Sequence, residues 1–247
     1  MTENIQTDYK MPVEITSYDV GAENELRLSA ILRYQQEAAE QQLAPMGMGW
    51  SALMEKGMVF VTSRWHARIL RLPTMGEKVT LTTWHRERKG PRFLRCYEWR
   101  DDKGDLLLDG VMQFALVSVE GHRLLRGDEF DAFGLPSQPE RTVDCADPGK
   151  FRMPELTPAW DMTVLWSHTD RNGHMNNTRY GDLLCDGLPG GMGRSIAEVQ
   201  LYFAGESRLG EVISLSTAAE DGAEYVRGKV GERLVFDGCV TFREDTP

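Results

Sequence analysis

Five polar side chains with the chemistry of an enzyme site lie within eight consecutive positions of the sequence: Asp170, Asn172, His174, Asn176 and Asn177. A carboxylate and an imidazole can accept and donate protons in water near neutral pH. Side-chain amides can donate hydrogen bonds to a substrate oxygen. This combination is typical of a site that transfers an acyl group to water.

An extended backbone in this stretch would bring three of these side chains to one side. Side chains alternate between the two faces of a strand, so Asp170, Asn172 and His174 would point the same way. The stretch leads into a predicted helix, and the free N–H groups at a helix N-terminus stabilise negative charge. We therefore expect backbone N–H groups near Met175 and Asn176 to hold an oxyanion.

Two other interpretations of the stretch concern its backbone. It can be a solvated turn, because Asn172-Gly173 is a common turn dipeptide and Asn176 or Asn177 can cap the following helix. A calcium loop does not fit, because Met175 occupies the position where such a loop needs glycine. The turn therefore stays open as an alternative to the catalytic loop.

A metal centre is the remaining alternative. His168, Asp170 and His174 could bind iron or zinc, but the sequence has no HExxH or CxxC spacing to support such a site. The four cysteines are scattered, which favours reduced thiols in a cytosol over a disulfide framework. We expect no metal, no cofactor and a cytoplasmic location.

The composition is that of an ordinary globular protein. Of 247 residues, 41% are hydrophobic and 27% are charged, which excludes disordered and collagen-like classes. The longest apolar runs are far shorter than a membrane span, and the first residues do not resemble an export signal. The net charge of −10 argues against nucleic acid as the main partner, because phosphates need clustered cations.

The chain preceding the polar stretch predicts one long helix and several antiparallel strands. Residues 28–44 are rich in helix formers and have apolar residues at helical spacing, so one face of this helix should be buried. Alternating and β-branched runs predict strands at 13–20, 59–72, 76–88, 92–100 and 106–119.

The same order of elements then recurs after a proline-rich segment. A helix is predicted at 175–187, and strands are predicted at 161–166, 195–204, 210–219, 223–230 and 233–242. Residues 72–81 also match residues 206–215, with Gly76 on Gly210 and Glu77 on Glu211. The repeat predicts a duplicated α+β unit.

We therefore expect two units, residues 1–125 and 159–247, joined by a surface linker at 126–158. In each unit an antiparallel sheet would wrap around its helix. The two sheets could pair edge to edge into one long sheet. The crevice between the units is then the natural place for a ligand.

The pattern D-x-N-x-H-x-N-N-x-x-Y, formed by the five polar residues and Tyr180, resembles the signature of acyl-acyl carrier protein thioesterases. The resemblance extends to LSAILRYQQEAAEQQ, to VTSRWHARILRLPTMGEKVTLTTW and to LYFAGESRLGEV. It implies a tandem double hot-dog fold and the hydrolysis of fatty acyl-acyl carrier protein, the step that ends fatty-acid synthesis. The rivals are an acyl-CoA thioesterase and a non-catalytic acyl-binding protein of the same fold.

The resemblance also implies roles for particular residues. Asp170, Asn172, His174 and Glu206 would be catalytic, with Glu206 acting on water as a general base. The plant enzymes often have cysteine after this acid, but this sequence has Ser207, so we expect no cysteine nucleophile. Strict alternation would turn Glu206 away from the core face of its strand unless Gly205 forms a bulge.

Substrate binding is expected in both units. The predicted substrate-binding residues are Asn176, Asn177, Met46, Met48 and Trp50. The first unit has no matching polar stretch before its helix, and Leu72 stands opposite Glu206 in the local alignment. We therefore expect the first unit to bind the acyl chain and to be catalytically silent.

Acyl carrier protein, the partner that the resemblance implies, is acidic, so an acidic enzyme needs a local basic surface. The segment 85–95 is the candidate docking surface, and its cations are Arg86, Arg88, Lys89, Arg92 and Arg95. A homodimer is a further possibility that the sequence leaves open.

Overall fold

A computed structural model describes residues 7–121, 123–126 and 134–243 of the chain. Its centre is one antiparallel sheet of ten strands in the order β1-β3-β4-β5-β2-β7-β10-β9-β8-β6. The strands are β1 (Tyr9–Glu14), β2 (Met58–Ile69), β3 (Lys78–Lys89), β4 (Arg92–Asp101), β5 (Leu106–Ser118), β6 (Thr157–Thr163), β7 (Ile196–Phe203), β8 (Val212–Glu220), β9 (Ala223–Val230) and β10 (Arg233–Phe242).

Helix α1 (Leu28–Leu43) lies against the first half of this sheet, where the sequence predicts it. Leu28, Ile31 and Leu32 are fully buried in the main core, together with residues of both halves. The short helix α2 (Trp50–Glu55) follows α1, and α3 (Arg179–Asp186) is the helix of the second half. Among the described residues, no helix has the length and apolarity needed to cross a membrane.

Several predicted boundaries are wrong, among them that of β6, which is Thr157–Thr163 and not 161–166. The first strand is Tyr9–Glu14, not 13–20, because the residues after it form a turn in which the Asp19 carboxylate accepts hydrogen bonds from Thr16. The second-half helix starts at Arg179, not at 175, although it ends before Gly187 as predicted.

The two halves join edge to edge through β2 and β7. These strands pair in antiparallel register from Arg64 opposite Tyr202 to Arg68 opposite Glu198. Helices α1 and α3 also meet, and the Ser29 hydroxyl donates a hydrogen bond to Asp182. The sheet is therefore continuous across the duplication, as the sequence predicts.

The described part of the predicted linker covers the outer face of the first-half sheet. The Trp84 indole donates a hydrogen bond to the carbonyl oxygen of Arg141 (2.9 Å), and the Arg64 guanidinium donates one to that of Gly149 (2.6 Å). Residues 134–156 contain no helix or strand, and Thr157, inside the predicted linker, already belongs to β6. Residues 127–133 of the predicted linker lie outside the described residues. Both faces of the first-half sheet are thus covered.

Matching hydrogen bonds show the internal repeat. The N–H of Thr74 donates to the Glu77 carboxylate, and the N–H of Arg208 donates to that of Glu211. Gly76 and Gly210 both have positive φ, +86° and +83°, where glycine is favoured over other residues. The local sequence match therefore reflects the same turn built twice.

Close packing of α3 on α1 gives a test of this arrangement. A Cβ atom on Gly181 would lie 3.0 Å from the backbone nitrogen of Ser29, whereas one on Gly149 would meet nothing within 4 Å. We expect Gly181→Val to lower the free energy of unfolding by about 1–3 kcal/mol, because the helices must separate. Gly149→Val is the matched control and should unfold like wild type in a thermal melt. Equal melting temperatures for all three proteins would contradict this packing.

Candidate active site

The polar stretch forms a tight turn and not an extended strand. The Asp170 carboxylate accepts a hydrogen bond from the N–H of Asn172 (2.8 Å), and the N–H of Asp170 donates to the carbonyl oxygen of His174 (2.9 Å). Gly173 has φ of +77°, which closes the turn. The expectation of an extended backbone here is wrong, because the turn chemistry of Asp170 and Gly173 prevails. Asp170, Asn172 and His174 nevertheless line the same cavity.

His174 and Glu206, from separate segments, meet beside this turn. Nε2 of His174 lies 3.2 Å from Oε2 of Glu206, and the two side chains are 22% and 45% exposed. Their meeting depends on the backbone, because the N–H of Met175 donates to the carbonyl oxygen of Ser207 (2.7 Å). The two segments form an isolated antiparallel β-bridge in which His174 pairs with Arg208. The imidazole and the second acid that the sequence singled out are therefore in contact.

Glu206 reaches this position because the chain bulges after β7. The N–H groups of Ala204 and Gly205 both donate to the carbonyl oxygen of Val235, an irregularity of the kind the sequence requires. A Cβ atom on Gly205 would lie 2.9 Å from the carbonyl oxygen of Leu234, so the close approach needs glycine. The bulge turns Glu206 towards His174.

The predicted oxyanion donors are already engaged. The N–H of Met175 donates to Ser207, and the N–H of Asn176 donates to the carbonyl oxygen of His168 (2.9 Å). The Asn176 side chain accepts hydrogen bonds from the N–H and the hydroxyl of Thr178 (3.0 and 2.7 Å). The expectation for these two N–H groups is therefore wrong, and Asn176 acts as a cap for the turn into α3.

Ser207, at the position of the plant cysteine, is buried and hydrogen-bonded to another side chain. Its Oγ accepts a hydrogen bond from the Tyr180 hydroxyl (3.2 Å), and burial raises the pKa of Tyr180 to about 12. Burial also raises the pKa of Cys96 to about 11 and that of Cys185 to about 12. Neither cysteine lines the cavity beside Glu206, so these thiols are not placed as nucleophiles.

A cavity of about 850 Å³ opens beside His174 and Glu206 and continues into the first half. Its volume lies within the range of small-molecule sites. Met48 and Trp50 line it as expected, whereas Met46 packs in the neighbouring cluster and does not line it. The other lining residues include Ala39, Leu43, Leu53, Met54, Val59, Phe60, Val61, Phe93 and Phe114 from the first half, and Asp170, Arg171, Asn172, Met175, Asn176 and Asn177 from the second.

The first and second halves touch across this cavity. The Arg171 guanidinium carbon lies 3.6 Å from the centre of the Trp50 ring, a cation–π contact between the polar turn and α2. Trp50 is itself positioned by its backbone N–H, which donates a hydrogen bond to the Glu40 carboxylate (2.9 Å). Both halves are therefore needed to complete the cavity wall.

The first-half wall of the cavity has several polar residues, among them His85 and Arg95; the others are Gln36, Glu37, Glu40 and Thr62. His85 and Arg95 face each other in the β3–β4 pairing, and both line the cavity. The Arg95 guanidinium donates hydrogen bonds to Gln42 (2.5 Å) and Thr83 (3.3 Å). Burial, together with the charge of Arg95, lowers the pKa of His85 from 6.5 to about 3. His85 is therefore neutral at physiological pH.

Only part of the predicted basic docking surface is exposed. Arg88, Lys89 and Arg92 are exposed at the β3–β4 hairpin, but Arg86 and Arg95 are only 5% and 4% exposed. Because both faces of this sheet are covered, the expectation is wrong for these two arginines. Arg86 pairs with Asp147 of the covering segment (2.6 Å), and Arg95 lines the cavity.

The first half builds the same backbone bridge with different side chains. The N–H of Leu26 donates to the carbonyl oxygen of Pro73 (2.8 Å), and Glu25 pairs with Thr74 as His174 pairs with Arg208. By this equivalence Glu25 occupies the place of His174, and Leu72 occupies that of Glu206. A second cavity of about 440 Å³ lies there and includes both residues. The first-half counterpart therefore lacks the imidazole–carboxylate pair.

The metal cluster suggested by the sequence does not form. Within the described part of the chain, no three His, Cys, Asp or Glu side chains are grouped closely enough to hold a metal ion. His168 instead accepts a hydrogen bond at Nδ1 from the N–H of Leu165 (3.1 Å).

Two family profiles match the chain. The one described as Acyl-ACP thioesterase N-terminal domain matches residues 6–129, and the one described as Acyl-ACP thioesterase C-terminal domain matches residues 156–234. Together they cover most of the sequence, with a break in the proline-rich segment.

Curated relatives and solved structures resemble the chain at low identity. Dodecanoyl-[acyl-carrier-protein] hydrolase of Cinnamomum camphora is 22% identical over 92% of this chain, and palmitoyl-acyl carrier protein thioesterase of Arabidopsis thaliana is 22% identical over 90%. Both are named as chloroplastic proteins, and the alignments span 63% of the length of each.

The solved structures agree in fold. An acyl-ACP thioesterase from Bacteroides thetaiotaomicron superposes with a TM-score of 0.85 at 19% identity, covering 96% of this chain and 98% of that one. The 12:0-ACP thioesterase of Umbellularia californica gives 0.84 at 21% identity, covering 96% and 97%.

The lowered pKa of His85 predicts a loss of stability in acid. Below pH 6.5 the unfolded chain binds a proton at this residue, and the folded protein does not until about pH 3. The free energy of unfolding should therefore fall by about 1.4 kcal/mol per pH unit below 6.5 from this group alone. In His85→Gln this contribution should disappear. Urea unfolding of both proteins above and below pH 6.5 measures it, and parallel pH profiles would refute it.

Proposed function

Because the two profiles match residues 6–129 and 156–234, this chain belongs to the acyl-ACP thioesterase family, and we propose that it hydrolyses fatty acyl-acyl carrier protein. The products are the free fatty acid and the carrier thiol, so the reaction ends fatty-acid synthesis. The fold, one ten-stranded sheet around α1 and α3, is the double hot-dog of this family.

The observation that carries the proposal is the contact of His174 with Glu206 at the edge of a mostly apolar cavity. A thioester hydrolase needs a proton acceptor for water and a place for an acyl chain, and this arrangement supplies both. A plain binding protein would need only the cavity.

In the proposed reaction, Glu206 accepts a proton from a water molecule, and the water oxygen bonds to the thioester carbonyl carbon. His174, held by Glu206, and Asn172 orient the water or polarise the carbonyl group. When the carbon–sulfur bond breaks, the proton passes to the sulfur, which leaves as the carrier thiol. Asp170 supports the base and also fixes the turn that carries these residues.

The negative charge on the carbonyl oxygen needs donors other than the N–H groups of Met175 and Asn176. We assign this task to the side-chain amides of Asn172 and Asn177, which line the cavity beside His174. An attack by the carboxylate itself, giving an acyl-enzyme, is the covalent alternative. Labelled solvent oxygen that appears in the enzyme's own carboxylate after a single turnover would identify that route.

The acyl chain is proposed to lie in the first-half part of the cavity. Apolar side chains of α1, α2 and β2 line this part, with Trp50 among them, together with Met48 from the segment between α1 and α2. Glu37 and Glu40 of α1 line it as well. The first half itself is proposed to be non-catalytic, because Leu72 and Glu25 stand where the second half has Glu206 and His174. The cytoplasmic location and a possible homodimer stay predictions from the sequence.

Substitution of the acids tests the reaction. Glu206→Gln should lower kcat by about 10²–10⁴-fold, because the amide cannot accept the proton. Asp170→Asn should lower it less if its main task is to hold the turn. Thiol release from a series of acyl-carrier substrates is the measurement, and Glu220→Gln, an exposed carboxylate on β8, is the matched control. A Glu206→Gln protein with unchanged thiol release would exclude this mechanism.

The exposed hairpin cations test the carrier partner. We expect the double change Arg88→Glu and Lys89→Glu to raise KM for carrier-bound substrate and to leave KM for the same acyl-CoA unchanged, with a smaller difference at high salt. Lys10→Glu with Lys78→Glu changes the net charge equally at exposed positions of β1 and β3 outside the hairpin and should raise neither KM. Equal effects on carrier and CoA substrates would remove the hairpin as the docking surface.

A further inference from the structure

Arg95 is a buried cation without a buried anion. It is 4% exposed, its hydrogen-bond partners are the neutral side chains of Gln42 and Thr83, and no carboxylate in the described part of the chain forms an ion pair with it. Burial lowers the pKa of its guanidinium. Buried charges in proteins are normally paired, because desolvation of an unpaired ion is costly. This exception needs an explanation.

The location of Arg95 supplies one, because it lines the same cavity as Glu206 and His174. In the sheet order, β4 is three strands away from β7, the strand that precedes Glu206. At the usual strand spacing this is roughly 14 Å along the sheet. Arg95 therefore stands in the part of the wall that is remote from the proposed reaction, where the end of an acyl chain would lie.

Arg95 has aromatic neighbours in this wall, and Glu37 and Glu40 of α1, which also line the cavity, form no ion pair with it among the described residues. Phe93, two residues earlier on β4, and Phe114, its partner on β5, line the cavity beside it. His85, opposite Arg95 on β3, is neutral, so it offers hydrogen bonds and no compensating negative charge. A chain that passes the two phenylalanines meets a cation and an imidazole.

We propose that the Arg95 guanidinium donates a hydrogen bond to an oxygen atom at the far end of the acyl chain. This protein therefore prefers chains that end in a carboxylate or hydroxyl group. A methyl end that reaches the same depth excludes water from the guanidinium and cannot accept a hydrogen bond from it. A carboxylate replaces that water and supplies the missing anion. This inference rests on the proposed function, because it concerns the substrate of the same cavity.

The test compares acyl-carrier substrates of equal chain length with and without a terminal carboxylate. At the chain length that reaches Arg95, wild-type kcat/KM should favour the carboxylate-ended chain by at least about tenfold, the effect expected of a hydrogen bond to a charged group. Arg95→Met should lower that ratio about tenfold towards the plain chain. Arg95→Lys keeps the cation and should keep the preference. Thermal melts confirm that each variant is folded.

A second measurement needs no variant and no catalysis. Calorimetry on the wild-type protein compares the methyl ester of a fatty acid with the monomethyl ester of the dicarboxylic acid of the same length. The monomethyl ester, which alone carries a carboxylate, should bind more tightly. A wild-type preference for plain chains at every length, or a ratio that Arg95→Met leaves unchanged in a folded protein, would overturn the proposal. If no thioester is cleaved at all, the proposed function fails, and the calorimetry still decides the role of Arg95.

Discussion

A single backbone hydrogen bond places the candidate catalytic pair. The N–H of Met175 donates to the carbonyl oxygen of Ser207, and this bond holds the polar turn against the segment that follows β7. His174 and Glu206 precede the two bonded residues, so their side chains meet at 3.2 Å. Each side chain is partly exposed, and the geometry of the pair follows from the backbone beneath it.

The duplication shows that this backbone is independent of the chemistry built on it. The first half makes the equivalent bond between Leu26 and Pro73 but presents Glu25 and Leu72. Glu25 and Leu72 do not form the imidazole–carboxylate pair of the second half, which supports the proposal that the first half is non-catalytic. His174 and Glu206 can thus be understood as substitutions on a shared backbone frame, and the continuous sheet through β2 and β7 keeps both copies in one body.

Regular patterns in the sequence predict much of this molecule, and irregular ones do not. The apolar spacing of α1 and the repeated order of helix and strands led to the duplicated α+β fold, and the family resemblance led to its double hot-dog form. The sequence did not decide between a strand and a turn for residues 170–174, because Asp170 and Asn172 suit both. The burial of Arg86 and Arg95 was missed because it depends on two layers far apart in sequence, the linker and α1. The position of Arg95 inside β4, away from the hairpin tip, was the feature of the sequence that could have predicted its burial.

The division of the cavity between two halves has an evolutionary consequence. Most of the wall that would contact a long acyl chain comes from α1, α2 and β2–β5, whereas His174 and Glu206 come from beyond residue 156. Residues 134–156, which contain no helix or strand, lie between these two parts of the chain. Recombination between the genes of relatives within this segment would exchange the wall proposed to bind the acyl chain and leave the proposed proton-transfer groups intact. The β2 and β7 edges must still pair for the recombined protein to fold. Substrate range and reactivity can then respond to selection separately.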